Sequence, residues 1–214
     1  RNQVDKTNGR FISEPGVVAD DVFDYKNFVD LSAKYSFENY DNVSNPTLGM
    51  SFSVLGGYRM NVEETDRKFP YAEASLGFNY RISTTGNWVL ATLLKGKALF
   101  DDKYEFYQSA TVGGDFDIRG FRNQRFSGKQ SFYQSTDLRL NLGKIKNGFA
   151  PLQYGVFGGF DYGRVWVQND NSDKWHQSYG GGFWINGVNV VTGKLQLFNS
   201  TDGWRVSAGL GFGF

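Results

Sequence analysis

The chain closes on Trp204-Arg205-Val206-Ser207-Ala208-Gly209-Leu210-Gly211-Phe212-Gly213-Phe214. Counting in twos from Trp204 collects Val206, Ala208, Leu210, Phe212 and Phe214, all apolar. Between them stand Arg205, Ser207, Gly209, Gly211 and Gly213, all polar or without a side chain. A period of two places alternate side chains on opposite faces of a strand. The apolar face carries aromatic rings at its ends and aliphatic groups between them. A strand of a lipid-embedded barrel has that layout: apolar outside, small or polar inside, rings at the two water interfaces. A strand of a soluble sandwich can alternate as well, so the reading depends on whether the pattern recurs.

It recurs through most of the chain. Tyr25, Val29, Leu31, Ala33, Tyr35 and Phe37 oppose Lys26, Asp30, Ser32, Lys34, Ser36 and Glu38. Met50, Phe52, Val54, Tyr58, Met60 and Val62 oppose Ser51, Ser53, Arg59 and Asn61, and Leu76, Phe78 and Tyr80 oppose Glu73, Ser75, Asn79 and Arg81. Residues 88–100 alternate weakly, with Lys95 and Lys97 on one face. Leu138 and Leu140 oppose Asp137 and Arg139, and Val156 and Phe160 oppose Gly155, Gly159, Asp161 and Gly163. Tyr179 and Phe183 oppose His176, Ser178 and Gly180; Leu195 and Leu197 oppose Lys194 and Gln196. Turn signals punctuate the series at Asn45-Pro46, Thr85-Gly86-Asn87 and residues 199–203. The pattern predicts an all-β, antiparallel transmembrane β-barrel with about nine strands in this chain. Residues 1–24 read as a polar loop or tail, 25–214 as the barrel segment. Residues 101–129 break the rhythm, and so long an interruption in a compact domain is usually functional or disordered.

Composition agrees. With 214 residues the chain suffices for one large all-β domain or part of a larger one. Mean hydropathy is negative, and no segment reaches the ~20 apolar residues of a membrane-spanning helix. A membrane protein of this kind must cross with strands, half of whose side chains face water. Aromatics reach 17% and glycines number 27, near twice the usual ~7%, which suits ring girdles and a crowded inner wall. The net charge of +1 gives no support to a nucleic-acid partner. There is no cysteine, hence no disulfide framework. No signal peptide opens the chain, which points to a mature form or an internal fragment.

The interruption contains Gly113-Gly114-Asp115-Phe116-Asp117-Ile118-Arg119-Gly120-Phe121, and further on comes Gly159-Phe160-Asp161-Tyr162-Gly163. With the terminal aromatic strand and Asn45-Pro46-Thr47-Leu48-Gly49, this ordered set resembles the bacterial surface antigen superfamily. That superfamily includes the central barrel of the outer-membrane barrel-assembly machinery and the transporters of two-partner secretion. The resemblance runs from about Tyr25 to Phe214. It implies the C-terminal part of a sixteen-stranded barrel in the bacterial outer membrane. It also implies that loop 101–129 folds back into the lumen with Ile118, Arg119, Gly120 and Phe121 at its tip, facing Asp161 and Gly163 on the inner wall. Parity gives the second half independently, since Asp161 shares a face with Gln153, Gly155, Gly159 and Gly163. A carboxylate there needs a partner, and the planar fork of Arg119 suits it. Gly209, Phe212 and Phe214 resemble the C-terminal sorting signal of outer-membrane proteins; a plain girdle strand would look the same.

Nothing in the sequence assembles a catalyst. His176 is the sole histidine and sits on the polar face, as a lining residue or, less simply, a catalyst. Asp170-x-Ser172-Asp173 could be a weak Ca²⁺ loop or a solvated turn. The expectation is therefore no enzyme, no metal and no cofactor. The expected partners are outer-membrane lipid and a polypeptide client. An open sheet in lipid leaves backbone groups unsatisfied, so remaining strands from upstream sequence or another chain are also expected. The resemblance implies a role in outer-membrane protein assembly or polypeptide translocation. Two alternatives stand beside it: the membrane anchor of a metallophosphoesterase, and a passive porin-like channel.

Overall fold

The computed structural model describes residues 23–146, 151–167 and 173–211. Among them the strands are β1 (Phe28–Tyr40), β2 (Gly49–Asn61), β3 (Lys68–Arg81), β4 (Trp88–Leu99), β5 (Ala110–Val112), β6 (Phe126–Gly128), β7 (Gln130–Lys146), β8 (Pro151–Trp166), β9 (His176–Gly187), β10 (Val191–Ser200) and β11 (Gly203–Gly211). Nine of them form one antiparallel sheet in the order β1-β2-β3-β4-β7-β8-β9-β10-β11, and β5 and β6 pair separately. Seven of the eight neighbouring pairs are joined by the chain's own next connection and the eighth, β4 with β7, through the segment that carries β5 and β6, the meander expected of a barrel wall.

Register carries the alternation across the sheet. Phe37, Phe52, Leu76 and Leu94 stand in one row over β1 to β4. Leu140, Val156, Phe183, Leu195 and Ala208 stand in another over β7 to β11. Both rows lie on the outer face, where most of the large apolar side chains stay exposed. Ser135, Asp161 and Ser178 form an inner row, and so do Asp137, Gly159, Gly180, Phe198 and Arg205. A slip of one residue in any strand would invert it, so nine strands in one phase define a single two-faced wall. The phase bends once, at a bulge between Asn141 and Gly143 on β7.

Two features depart from the sequence reading. The interruption at 101–129 is ordered: it holds a single helical turn at Phe106–Gln108 and the β5–β6 ribbon. The weak alternation of β4 also has a cause. Val89, Ala91 and Leu99 point inward and are buried, and Leu93 on the same face packs against the cluster formed by the interruption. Residues 1–22, most of the expected tail, lie outside the described residues, as do Phe212 and Phe214.

Candidate functional site: an inward loop pinned to the wall

The segment between β4 and β7 leaves the sheet at the end where β3 begins and β8 ends, and turns onto the inner face. Its first part is held at the rim. Glu105, buried, accepts a hydrogen bond from Lys26 Nζ at 2.7 Å and a second from Arg67. Gly113, Gly114 and Gly120 then bend it at φ of 117°, 131° and 88°. Those values suit glycine and strain other residues.

The tip is buried against β7, β8 and β10. Ile118 and Phe121 are fully buried in a cluster with Val112 and Tyr133, and Leu93, Phe126 and Val165 pack around it. The Tyr133 hydroxyl donates to the Phe116 carbonyl at 3.3 Å. Ser200 Oγ donates to the Gly120 carbonyl at 2.8 Å. A Cβ on Gly163 would stand 2.5 Å from the Phe132 carbonyl and 2.8 Å from Tyr133 Cβ, so the wall glycine keeps room for the tyrosine that seats the loop.

Arg119 makes the central contact. Its Nε donates to Asp161 Oδ2 at 2.8 Å and its Nη2 to Asp161 Oδ1 at 2.6 Å, a two-pronged pair. Its backbone N–H adds a third bond to Asp161 Oδ2 at 2.9 Å. Nη1 lies 2.7 Å from Asp137 Oδ1. Ser135 and Ser178 donate to the two oxygens of Asp161 at 2.8 and 3.3 Å. Asp161 is thus a carboxylate with five donors around it and no exposure to solvent. Burial pushes the guanidinium's pKa down, but the bonds to Asp161 and the charge of Asp137 raise it further, so Arg119 is held as a cation.

One part of this site was not legible in the sequence. Phe157, Trp184 and Phe198 form a buried aromatic cluster on the inner face, where the sequence pattern leads one to expect polar lining. Arg119 lies over two of its rings, 4.1 Å from the Phe198 centroid and 5.9 Å from that of Phe157. Such stacking strengthens in a desolvated place. An unexplained aromatic at odd parity in β8 or β10 was the available signal. His176 does line the inner face, and its ring stacks on Phe126 at 3.5 Å. Asp173 reaches Arg164 at 3.4 Å, whereas Asp170 and Ser172 lie outside the described residues. Among the described residues no three His, Cys, Asp or Glu side chains converge as a metal cage would require. Gly209 faces inward on β11 with open space where a Cβ would stand, while Phe212 and Phe214 lie outside the described residues.

Beside the loop the lumen keeps a cavity of about 660 Å³. Lys34, Glu73, Lys95, Lys194 and Gln196 line it, with Phe116 and Arg119 from the loop. The volume is that of an ordinary ligand pocket, and its lining mixes both charges.

A two-faced antiparallel wall with a loop locked inside it by a buried Arg–Asp pair defines a barrel of the surface antigen type. Residues 29–186 match the model of the family described as haemolysin secretion/activation protein ShlB/FhaC/HecB, and the chain belongs to that family. Among solved structures it is similar to the crystal structure of BamA from Haemophilus ducreyi lacking POTRA domains 1–3. The TM-score is 0.64 at 17% identity, over 85% of this chain and 41% of that one, a likeness of fold. The chain thus spans less than half the length of that relative. None of the curated proteins matches the sequence.

Proposed function

We propose that this chain is the C-terminal part of an integral outer-membrane barrel that exports polypeptide. Its outer face contacts lipid, and further strands complete the wall, since a bilayer does not tolerate an open sheet edge. The observation that carries the reading is the pinned loop. A passive pore has no use for a plug fixed by a buried ion pair, whereas a conduit for a large and occasional cargo must be sealed between passages. Membership in a family described by secretion favours export over the insertion of other barrels. The likeness to BamA supports insertion as the second reading. No enzymatic step belongs to either.

The two separate on gene inactivation in the source bacterium. The expected result is loss of one or a few polypeptides from the medium, with the outer-membrane protein profile intact. Depletion of several outer-membrane barrels would select insertion. Unchanged medium and membrane profiles would overturn both.

A further inference from the structure

The connection between β1 and β2 lies at the end of the sheet opposite to the loop and reaches across the inner face to β7, β9 and β10. It is built to hold its own shape. The Asp41 carboxylate accepts from the Thr47 and Leu48 amides at 2.8 and 3.0 Å and from Arg81 Nη2 at 2.7 Å. Asn42 Oδ1 accepts from the Ser44 amide, the Ser44 hydroxyl and the Asn45 amide at 2.9, 2.9 and 3.2 Å. Side chains that cap their own backbone in this way make an autonomous turn. Its base is Gly49 at φ 131°, where a Cβ would strike the Asn39 carbonyl at 1.9 Å.

What the tip touches is unusual for a hairpin turn. Ser44 and Pro46 are buried. Arg139 on β7 donates to Asn45 Oδ1 at 2.9 Å and to the Pro46 carbonyl, and also to Asn79 Oδ1 on β3 at 2.6 Å. Asn186 on β9 donates to Ser44 Oγ at 3.0 Å, and Thr192 on β10 donates to the Ser44 carbonyl. From β2 to β9 the sheet takes five strand steps, about 24 Å along the wall at ~4.8 Å per step. The turn reaches β9 directly, so it crosses the opening instead of following the wall.

Arg119 rests on Asp137, and the turn rests on Arg139, two residues further along the same face of β7. Two segments therefore cross the inner face from opposite ends, and they meet at β7. We propose that the Ser44–Pro46 turn is a second gate, which must leave Arg139, Asn186 and Thr192 before the lumen can pass a chain. Its bonds are polar and exchangeable with water, and the bonds from Asp41 and Asn42 keep the turn in shape while Arg81 of β3 tethers its base, so that the Ser44–Pro46 tip moves and the base stays.

The inference rests on the export reading, and its test uses potassium chloride conductance so that the two can fail separately. The full-length polypeptide is purified from outer membranes and placed in planar bilayers. Arg119→Ala, which frees the loop, should alone raise conductance little. Adding Asn186→Ala and Thr192→Val should raise it several-fold. In the opposite direction, Ser44→Cys with Asn186→Cys should form a disulfide in this cysteine-free chain. In the Arg119→Ala background the reduced cysteine pair, which lacks the Asn186 bond to Ser44, should open and conduct under voltage, whereas the disulfide should hold conductance low until a reducing agent is added. Because the lock adds a bond and removes little, it remains informative if the triple variant does not fold. A locked barrel that conducts like the reduced one overturns the gate and leaves export standing. Loss of cargo from the medium on locking, reversed by reductant, supports both.

Discussion

Gly159 faces Arg119 with no room for a methyl group between them. A Cβ at 159 would stand 2.7 Å from Arg119 Nη2, 2.7 Å from Asp137 Oδ1 and 2.8 Å from Phe198 Cζ. Gly158, one residue away and on the outer face, would meet nothing nearer than the Gly180 carbonyl at 3.9 Å. Gly159→Ala should therefore lift the guanidinium off the wall at a cost of about 1–3 kcal/mol, the range for overpacking. Limited proteolysis of intact membranes should then cut within residues 113–125. Gly158→Ala should behave as wild type, and equal protease resistance of both variants would contradict the packing.

The Arg119–Asp161 pair should act as a unit. Removing Arg119 strands the buried Asp161, and removing Asp161 leaves Arg119 only Asp137 as counter-charge, each at a cost on the order of 3 kcal/mol. Arg119→Ala and Asp161→Ala together should cost little more than one alone. Chemical denaturation of the four combinations measures the coupling, and simple additivity would argue against the pair. Arg119→Lys should rescue only in part, since an ammonium lacks the fork that grips both carboxylate oxygens.

Facing can be read at adjacent residues of β10. Leu195 points outward and is exposed, while Gln196 lines the cavity. With cysteine at each position, a spin label on 195 should be relaxed by oxygen dissolved in lipid. A label on 196 should respond to a water-soluble nickel chelate. The reverse order would turn the sheet inside out.

Asp41 gives the β1–β2 turn a defined response to acid. Burial pushes its carboxyl up. The Thr47 hydroxyl, the Leu48 and Thr47 amides and Arg81 overcome that and hold the pKa at about 2. A pKa lowered in the folded state contributes stability fully present above the unfolded value, about 4 for an aspartate, and lost as pH falls through 2. Hydrogen exchange at the Thr47 and Leu48 amides should thus show the same protection from pH 7 to 5 once corrected for intrinsic rates. Protection should fall between about 4 and 2, and Asp41→Asn should remove that dependence.

The wall was legible because one rule, the period of two, governs every strand and fails visibly when broken. Asp161 could be assigned to the inner face by parity, and Arg119 was its natural partner by charge and shape. Phe157, Trp184 and Phe198 escaped the reading because it took the inner face to be wet. A lumen filled by a loop is a protein core, and its lining follows the rules of a core. The reach of the β1–β2 turn across the sheet escaped for another reason. Asn45-Pro46 announces a turn, but nothing local in eight residues tells whether a turn hangs outside a barrel or folds beneath it. Only the contacts with Asn186 and Thr192 decide that, and they lie far away in sequence.

That distance also sets an order of events. Arg119 and Asp161 are 42 residues apart, whereas Ser44 and Thr192 are separated by 148. Joining remote segments waits on a slower search than joining near ones. The β7–β8–β9–β10 meander can settle with its loop in place while β1 and β2 are still finding their position. The turn cannot engage until both have arrived. A barrel caught before that moment would have its loop seated and the β1–β2 turn still free, so assembly itself would pass through the arrangement that the proposed gate must recreate to open.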